Sequence, residues 1–179
     1  MPPRYNPDIH HRHSIRLRGY DYAQAGVYFI TICTQERICH FGSIQDGQVH
    51  LNANGQLVEG EWLRTAIVRR NVVLDAFTVM PNHFHGIIVL IDQAKADSPT
   101  VSDEQTLARR LTGPAPGSLG AIIAQFKSMV TKQINRLPET SSFFAWQRNY
   151  FERVIRSEDE LNQPREYIAT NPMRWANDQ

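Results

Sequence analysis

His83 and His85 stand two residues apart in the run FTVMPNHFHGIIVLI, residues 77–91, which otherwise reads as a buried strand. On a strand, positions i and i+2 project from the same face. The two imidazoles are therefore neighbours, with about 7 Å between their Cα atoms, and Phe84 between them points the other way, into the core. Two imidazoles at that spacing can share a metal ion. They can also be unrelated histidines at a strand end. A second pair lies near the C-terminus, in EYIATNP. Tyr167 and Asn171 are four apart and share a helix face. Asn171 precedes Pro172, which predicts a place at the helix end with its amide free. An amide oxygen is a hard donor that could complete a site begun by two histidines, and a phenol beside it could attack a phosphate held there. Tyr167 could equally be an ordinary half-buried helix tyrosine. Tyr150 is the rival nucleophile, in a strand-like run with no amide partner at helical spacing.

The elements that must position these groups are readable in outline. Residues 26–35, GVYFITICTQ, are β-branched and aromatic and predict a strand. FGSIQDGQVHLNANG carries Gly and Asp turn signals between short apolar pieces and fits a hairpin. Residues 57–70 place Leu57, Trp62, Leu63, Ala66 and Ile67 at helical spacing. NVVLDAFTVM and HFHGIIVLI are strand-like runs punctuated by Pro81-Asn82, either adjacent strands or one strand with a turn or bulge. Residues 93–117 lack a sustained apolar period and predict a flexible insert with at most a helical turn near Leu107. Ser118 caps a helix to about residue 136, with Ile122, Phe126, Met129, Val130 and Ile134 on its apolar face. FFAWQRNYFERVIR, residues 143–156, is strand-like, and Ser157 with Glu160 forms a capping-box pattern opening the last helix. Pro164 should kink that helix or delay its start. The sum is an α+β layout, helices packed on a mainly antiparallel sheet.

The chain has 179 residues and a net charge of +1, which suggests a single domain. The ordinary composition argues against disorder and fibres. No apolar run is long enough to span a membrane, the polar N-terminus lacks a secretory core, and two cysteines, Cys33 and Cys39, without CxxC spacing announce neither a disulfide scaffold nor a zinc knuckle. The charges are segregated. Arg4, Arg12, Arg16 and Arg18 form a basic arm with His10, His11 and His13; Lys127, Lys132 and Arg136 lie in an acid-free stretch, and Arg148, Arg153 and Arg156 follow. These are either solvated faces or a basic surface for a polyanion. Arg12, Arg16, Arg18, Lys127, Lys132 and Arg148 are the candidate phosphate contacts. The histidine cluster reads more simply as a solvated or DNA-contacting tail than as a second metal site.

MPNHFH followed by YIATNP, together with RLRGYDYAQAGVYFITICTQER, SLGAIIAQFKSMVTKQIN and WQRNYFERVIR, resembles a known family across nearly the whole chain. It is the HUH single-strand nucleases with one catalytic tyrosine: insertion-sequence transposases and REP-associated tyrosine transposases. The resemblance implies a ferredoxin-like HUH nuclease core over residues 1–179, with the basic arm at about 1–18 and the insert at about 93–117. It implies a divalent ion, Mg²⁺ or Mn²⁺, held by His83 and His85 with Asn171 completing the site, and Tyr167 as nucleophile. It implies cleavage and joining of single-stranded DNA near hairpins or palindromic repeats through a 5′-phosphotyrosine link, by a monomer or homodimer in the cytoplasm, associated with the nucleoid in use. Two other readings stay open: a domesticated hairpin-binding module that no longer mobilises DNA, and a metal-dependent hydrolase unrelated to DNA, which leaves the basic face unexplained.

Overall fold

The computed structural model describes residues 21–22, 24–92, 115–138 and 143–175. Arg12, Arg16, Arg18, the arm histidines and nearly all of the 93–117 insert lie outside the described residues. The elements run β1 (Gly26–Cys33), β2 (Gly42–Gln45), β3 (Gln48–Leu51), α1 (Ala53–Ile67), β4 (Val72–Met80), β5 (His83–Leu90), α2 (Leu119–Ile134), β6 (Phe151–Ile155) and α3 (Glu158–Arg174). Four strands form one sheet in the order β4-β5-β1-β6, every neighbouring pair antiparallel. Set aside the β2–β3 hairpin, and the order β1-α1-β4-β5-α2-β6 is the ferredoxin-like split βαβ arrangement. The expected α+β fold is the fold found.

Alternation along the central strands sorts their side chains to two faces. Tyr28, Ile30 and Ile32 of β1 and Phe84 and Ile88 of β5 join Val58 and Trp62 of α1 and Ile122, Phe126 and Val130 of α2 in one core. Phe29 and Ile87, from the other face, join Ile155 of β6 and Leu161 and Ile168 of α3 in a second. The sheet is thus sandwiched between α1 with α2 on one side and α3 on the other. Trp62 sits 4.7 Å from Phe84 and 5.4 Å from Phe126, ring centre to ring centre. Gly86 makes room for it, because a Cβ there would lie 2.8 Å from Trp62 Cζ2. Full burial of a ring such as Phe84 stabilises by about 3 kcal/mol, so this side anchors the strand that carries the histidines.

Several local expectations hold, and several are corrected. The hairpin turns through Asp46 (φ 50) and Gly47 (φ 72), the pair of left-handed residues that a tight hairpin turn prefers. Pro81-Asn82 is a two-residue turn between adjacent antiparallel strands, with Met80 opposite His83. α1 starts four residues before the predicted Leu57, because Asn52 Oδ1 accepts from Gly55 N, and it ends at Ile67 rather than Arg70. Its buried stripe is Gly55, Val58, Trp62 and Thr65, while Leu63 and Ile67, expected inside, are exposed. They lie about 120° and 160° round the helix from the centre of that stripe. In α2, Leu119 and Ile123 are buried, and Met129 only partly.

Residues 143–150 are not strand. Their backbone groups are used singly, on Cys33 at the end of β1, on Gln35 just after it and on the Asn135 cap of α2, rather than in a ladder. α3 does not start late: Ser157 Oγ accepts from Glu160 N, and the helix runs as one element through Pro164 to Arg174. Pro164 is buried in the stripe Leu161, Pro164, Ile168, Asn171. Its apolar ring packs there where its missing N–H costs a helix bond.

Candidate active site

The α3 face of the sheet carries a row of cross-strand neighbours. Thr78 of β4 lies opposite His85 of β5, which lies opposite Thr31 of β1, which lies opposite Phe151 of β6. One row on, Met80, His83 and Cys33 are in register. His83 and His85 are both buried, at 5% and 4% exposure, with ring centres 4.5 Å apart. Each imidazole is held at Nδ1, His83 by Asn82 Oδ1 at 2.7 Å and His85 by Thr31 Oγ1 at 2.8 Å. A bond at Nδ1 fixes the ring and, with Nδ1–H donating, puts the lone pair on Nε2, the usual arrangement behind a metal-binding histidine. Burial first, and then the charges of His83 and Arg37, push the His85 pKa down to about 3. At neutral pH it is the uncharged imidazole that can donate to a cation.

The turn beneath His83 is clamped. Thr34 N donates to Asn82 O, His40 N and Phe41 N donate to Pro81 O, and Asn82 Nδ2 donates to Arg37 O. Glu36 and Arg37 take left-handed φ of 56° and 55°, rarely adopted by side chains of this type. This bend places the exposed Arg37 where its charge is felt at both His85 and Cys33.

α3 brings the other half. Tyr167 sets its ring edge-on to His85 at 5.1 Å and to Phe29 at 6.2 Å. Trp175, just past the helix, stacks on His83 at 6.0 Å. Asn171 lies between these two on the same helix face. It is fully buried and sits three residues before the last helical residue, Arg174, not at the helix end as predicted. Neither its Oδ1 nor its Nδ2 has a hydrogen-bond partner, and His85 Nε2 has none either. A buried polar group left so costs about 1–3 kcal/mol, and Asn171 shares its helix face with the two rings that meet the histidines, Tyr167 and Trp175. Among the described residues no group of three or more His, Cys, Asp and Glu could hold an ion. Two imidazoles and an amide oxygen, from His83, His85 and Asn171, are donors of the kinds that could hold a divalent cation.

A bulge aims the helix. Between the pairs Leu74–Ile88 and Phe77–Gly86, Asp75 and Ala76 together oppose the single residue Ile87. Asp75 leaves the strand to accept from Arg165 Nε at 3.0 Å and Nη2 at 2.6 Å, two residues before Tyr167. Glu158 accepts from the same guanidinium. The Arg165 hydrogen bonds hold the Asp75 carboxyl below its ordinary range. A lowered folded pKa contributes stability above the unfolded pKa, near 3.8, that is lost as pH falls through the folded value. Because the pair touches solvent, the gain is modest. Asp75→Ala is expected to loosen α3 in amide exchange at pH 7, with the difference from wild type fading below about pH 4. Equal protection of α3 in both proteins at pH 7 would show that the bulge does not hold the helix.

Tyr150 packs against the core on the opposite face of the sheet. Lys127 is already engaged: its ammonium donates to the carbonyls of Gln147 and Arg148, at 2.6 and 3.2 Å. It fixes the loop on which Arg148 is exposed, and Lys132 is exposed on the last turn of α2. Thr31, Asn82, Arg37, Trp175 and Asp75 went unread in sequence. Asn82 stood in the quoted motif but looked like a turn residue, and Thr31 gains its role only through strand register. Both cysteines are free, and no described helix is long and apolar enough to cross a membrane.

The fold is that of a REP-associated tyrosine transposase solved bound to a REP hairpin, with a TM-score of 0.56 at 17% identity over 90% of this chain and 74% of that one. An uncharacterized protein of Haemophilus influenzae (strain ATCC 51907 / DSM 11121 / KW20 / Rd) is 40% identical over 100% of this chain and 98% of its own length. The chain belongs to one family with that protein. No protein-family model matches it.

Proposed function

We propose that the protein is a metal-dependent single-strand DNA endonuclease and strand transferase, a tyrosine transposase acting beside DNA hairpins. The observation that carries this reading is the buried amide of Asn171, unpartnered on both atoms, on the helix that sets Tyr167 on His85. A structural asparagine would be hydrogen-bonded there; an amide waiting for a ligand would not.

His83, His85 and Asn171 would hold Mg²⁺ or Mn²⁺, which supplies Lewis-acid polarisation of the scissile phosphate. Asn82 and Thr31 keep both imidazoles oriented before substrate arrives. Tyr167 Oη gives up its proton to solvent and attacks the phosphorus, the bond to the 3′ oxygen breaks, and that oxygen takes a proton from solvent and leaves as a hydroxyl. The 5′ end stays on the tyrosine, which conserves the bond energy for rejoining without a nucleotide cofactor. The exposed Arg37 and Arg148 would meet backbone phosphates. The hairpin bound by the structural neighbour supports hairpin DNA as the substrate, and the site needs the strand unpaired to reach it.

An end-labelled single-stranded hairpin incubated with the protein and Mn²⁺ should yield a cut strand and a protein-linked strand on a denaturing gel. Tight binding without either product would favour the domesticated binding module. Neither binding nor cleavage would discard DNA as the substrate. Thr31→Val keeps the β-branched shape and removes the group at His85 Nδ1, and is expected to lower metal-supported cleavage about 10- to 100-fold. A cleavage rate equal to wild type across a Mn²⁺ titration would deny Thr31 that role.

A further inference from the structure

Phe151 is 44% exposed, although it sits in the same cross-strand row as His85 and Thr31. It lies two strands from His85, about 10 Å across the sheet, on the face that carries Tyr167. Phe29 lies between the two exposed rings and meets each edge-on, Phe151 at 6.4 Å and Tyr167 at 6.2 Å. Phe151 also stands on β6, at the open edge of the sheet. Two residues along the same face, Arg153 is exposed opposite Phe29. The exposed side chains from Gln147 to Arg156 include Arg148, Arg153 and Arg156, while the one acid in that stretch, Glu152, is buried. An apolar ring that neither core absorbs, bordered by arginines and continuous with the nucleophile, fits a substrate that is flat, apolar in face and anionic in backbone.

We propose that Phe151 is a stacking platform for an unpaired base of the DNA strand, next to or one removed from the scissile phosphate, and that Arg153 takes a phosphate of the same strand. This rests on the single-strand transferase reading and adds the path of the substrate: over β1 from the histidines to the β6 edge. Every base offers a π-face, so the ring grips a position in the strand without reading its sequence. It would hold the phosphate over Tyr167 while the hairpin is bound elsewhere.

The test uses the full chain and a single-stranded hairpin with 2-aminopurine placed, one position at a time, on either side of the cut. Wild type should quench the probe at one flanking position. Phe151→Leu, which keeps an apolar side chain on a strand edge, should lose that quench and raise the KM for adduct formation on the order of tenfold, with the adduct yield at saturating DNA unchanged. Phe151→Trp should restore both. Arg153→Gln should weaken binding and flatten its salt dependence by about one phosphate contact. Identical quenching and KM in wild type and Phe151→Leu, with a normal adduct in both, would overturn the platform and leave the transferase reading standing. Wild type that forms no adduct and binds no DNA would overturn that reading and the platform with it.

Discussion

Tyr167→Phe is expected to eliminate the covalent protein–DNA product and leave the fold as it is. The contacts that seat Tyr167 are ring contacts, edge-on to His85 and to Phe29, and phenylalanine keeps the ring. The residue is 37% exposed, so removing one hydroxyl should change stability on the order of 1 kcal/mol or less. The chemistry has no such tolerance, because a carbon–hydrogen bond offers no nucleophile. Tyr150 cannot stand in, since its ring packs against the core on the other face of the sheet. A denaturing gel of wild type, Tyr167→Phe and Tyr150→Phe with a single-stranded hairpin and Mn²⁺ should show a slow-migrating adduct in the first and third lanes. An adduct that survives in Tyr167→Phe and vanishes in Tyr150→Phe would move the active site off α3.

His83→Ala should separate chemistry from binding. A cation acting on a phosphate supplies several kcal/mol of transition-state stabilisation, and each 1.36 kcal/mol is tenfold in rate. Loss of one of two imidazole donors is therefore expected to slow cleavage on the order of a thousandfold. Hairpin affinity should hold, because phosphate contacts dominate it. His83 is 5% exposed and stacked on Trp175, so a melting curve belongs beside the assay. Cleavage at the normal rate sinks the donor assignment. A matched loss of affinity and melting temperature would make His83 a structural residue.

The candidate site was legible in local spacing. HFH puts two imidazoles on one strand face because strand side chains alternate, and Tyr167 with Asn171 share a helix face because helices repeat every 3.6 residues. The stripe Leu161, Pro164, Ile168, Asn171 follows the same rule and could have warned that Asn171 is buried; Pro172 suggested an ending that the helix does not make. The Asp46-Gly47 turn needed only the left-handed tolerance of its residues.

What the sequence could not supply was register. Which residue faces His85 across β1 depends on how two strands slide past each other, and a shift of one residue would exchange Thr31 for a core isoleucine. The bulge at Asp75 and Ala76 obeys the same logic, since an extra residue in a strand shows only against its partner. So does the placing of Phe151 in the row of the histidines, which pairs residues 66 apart in the chain through the two ladders of β1. Periodicity is a property of one element and is legible alone. Register, bulges and the docking of α3 belong to pairs of elements, and only the packed sheet fixes them.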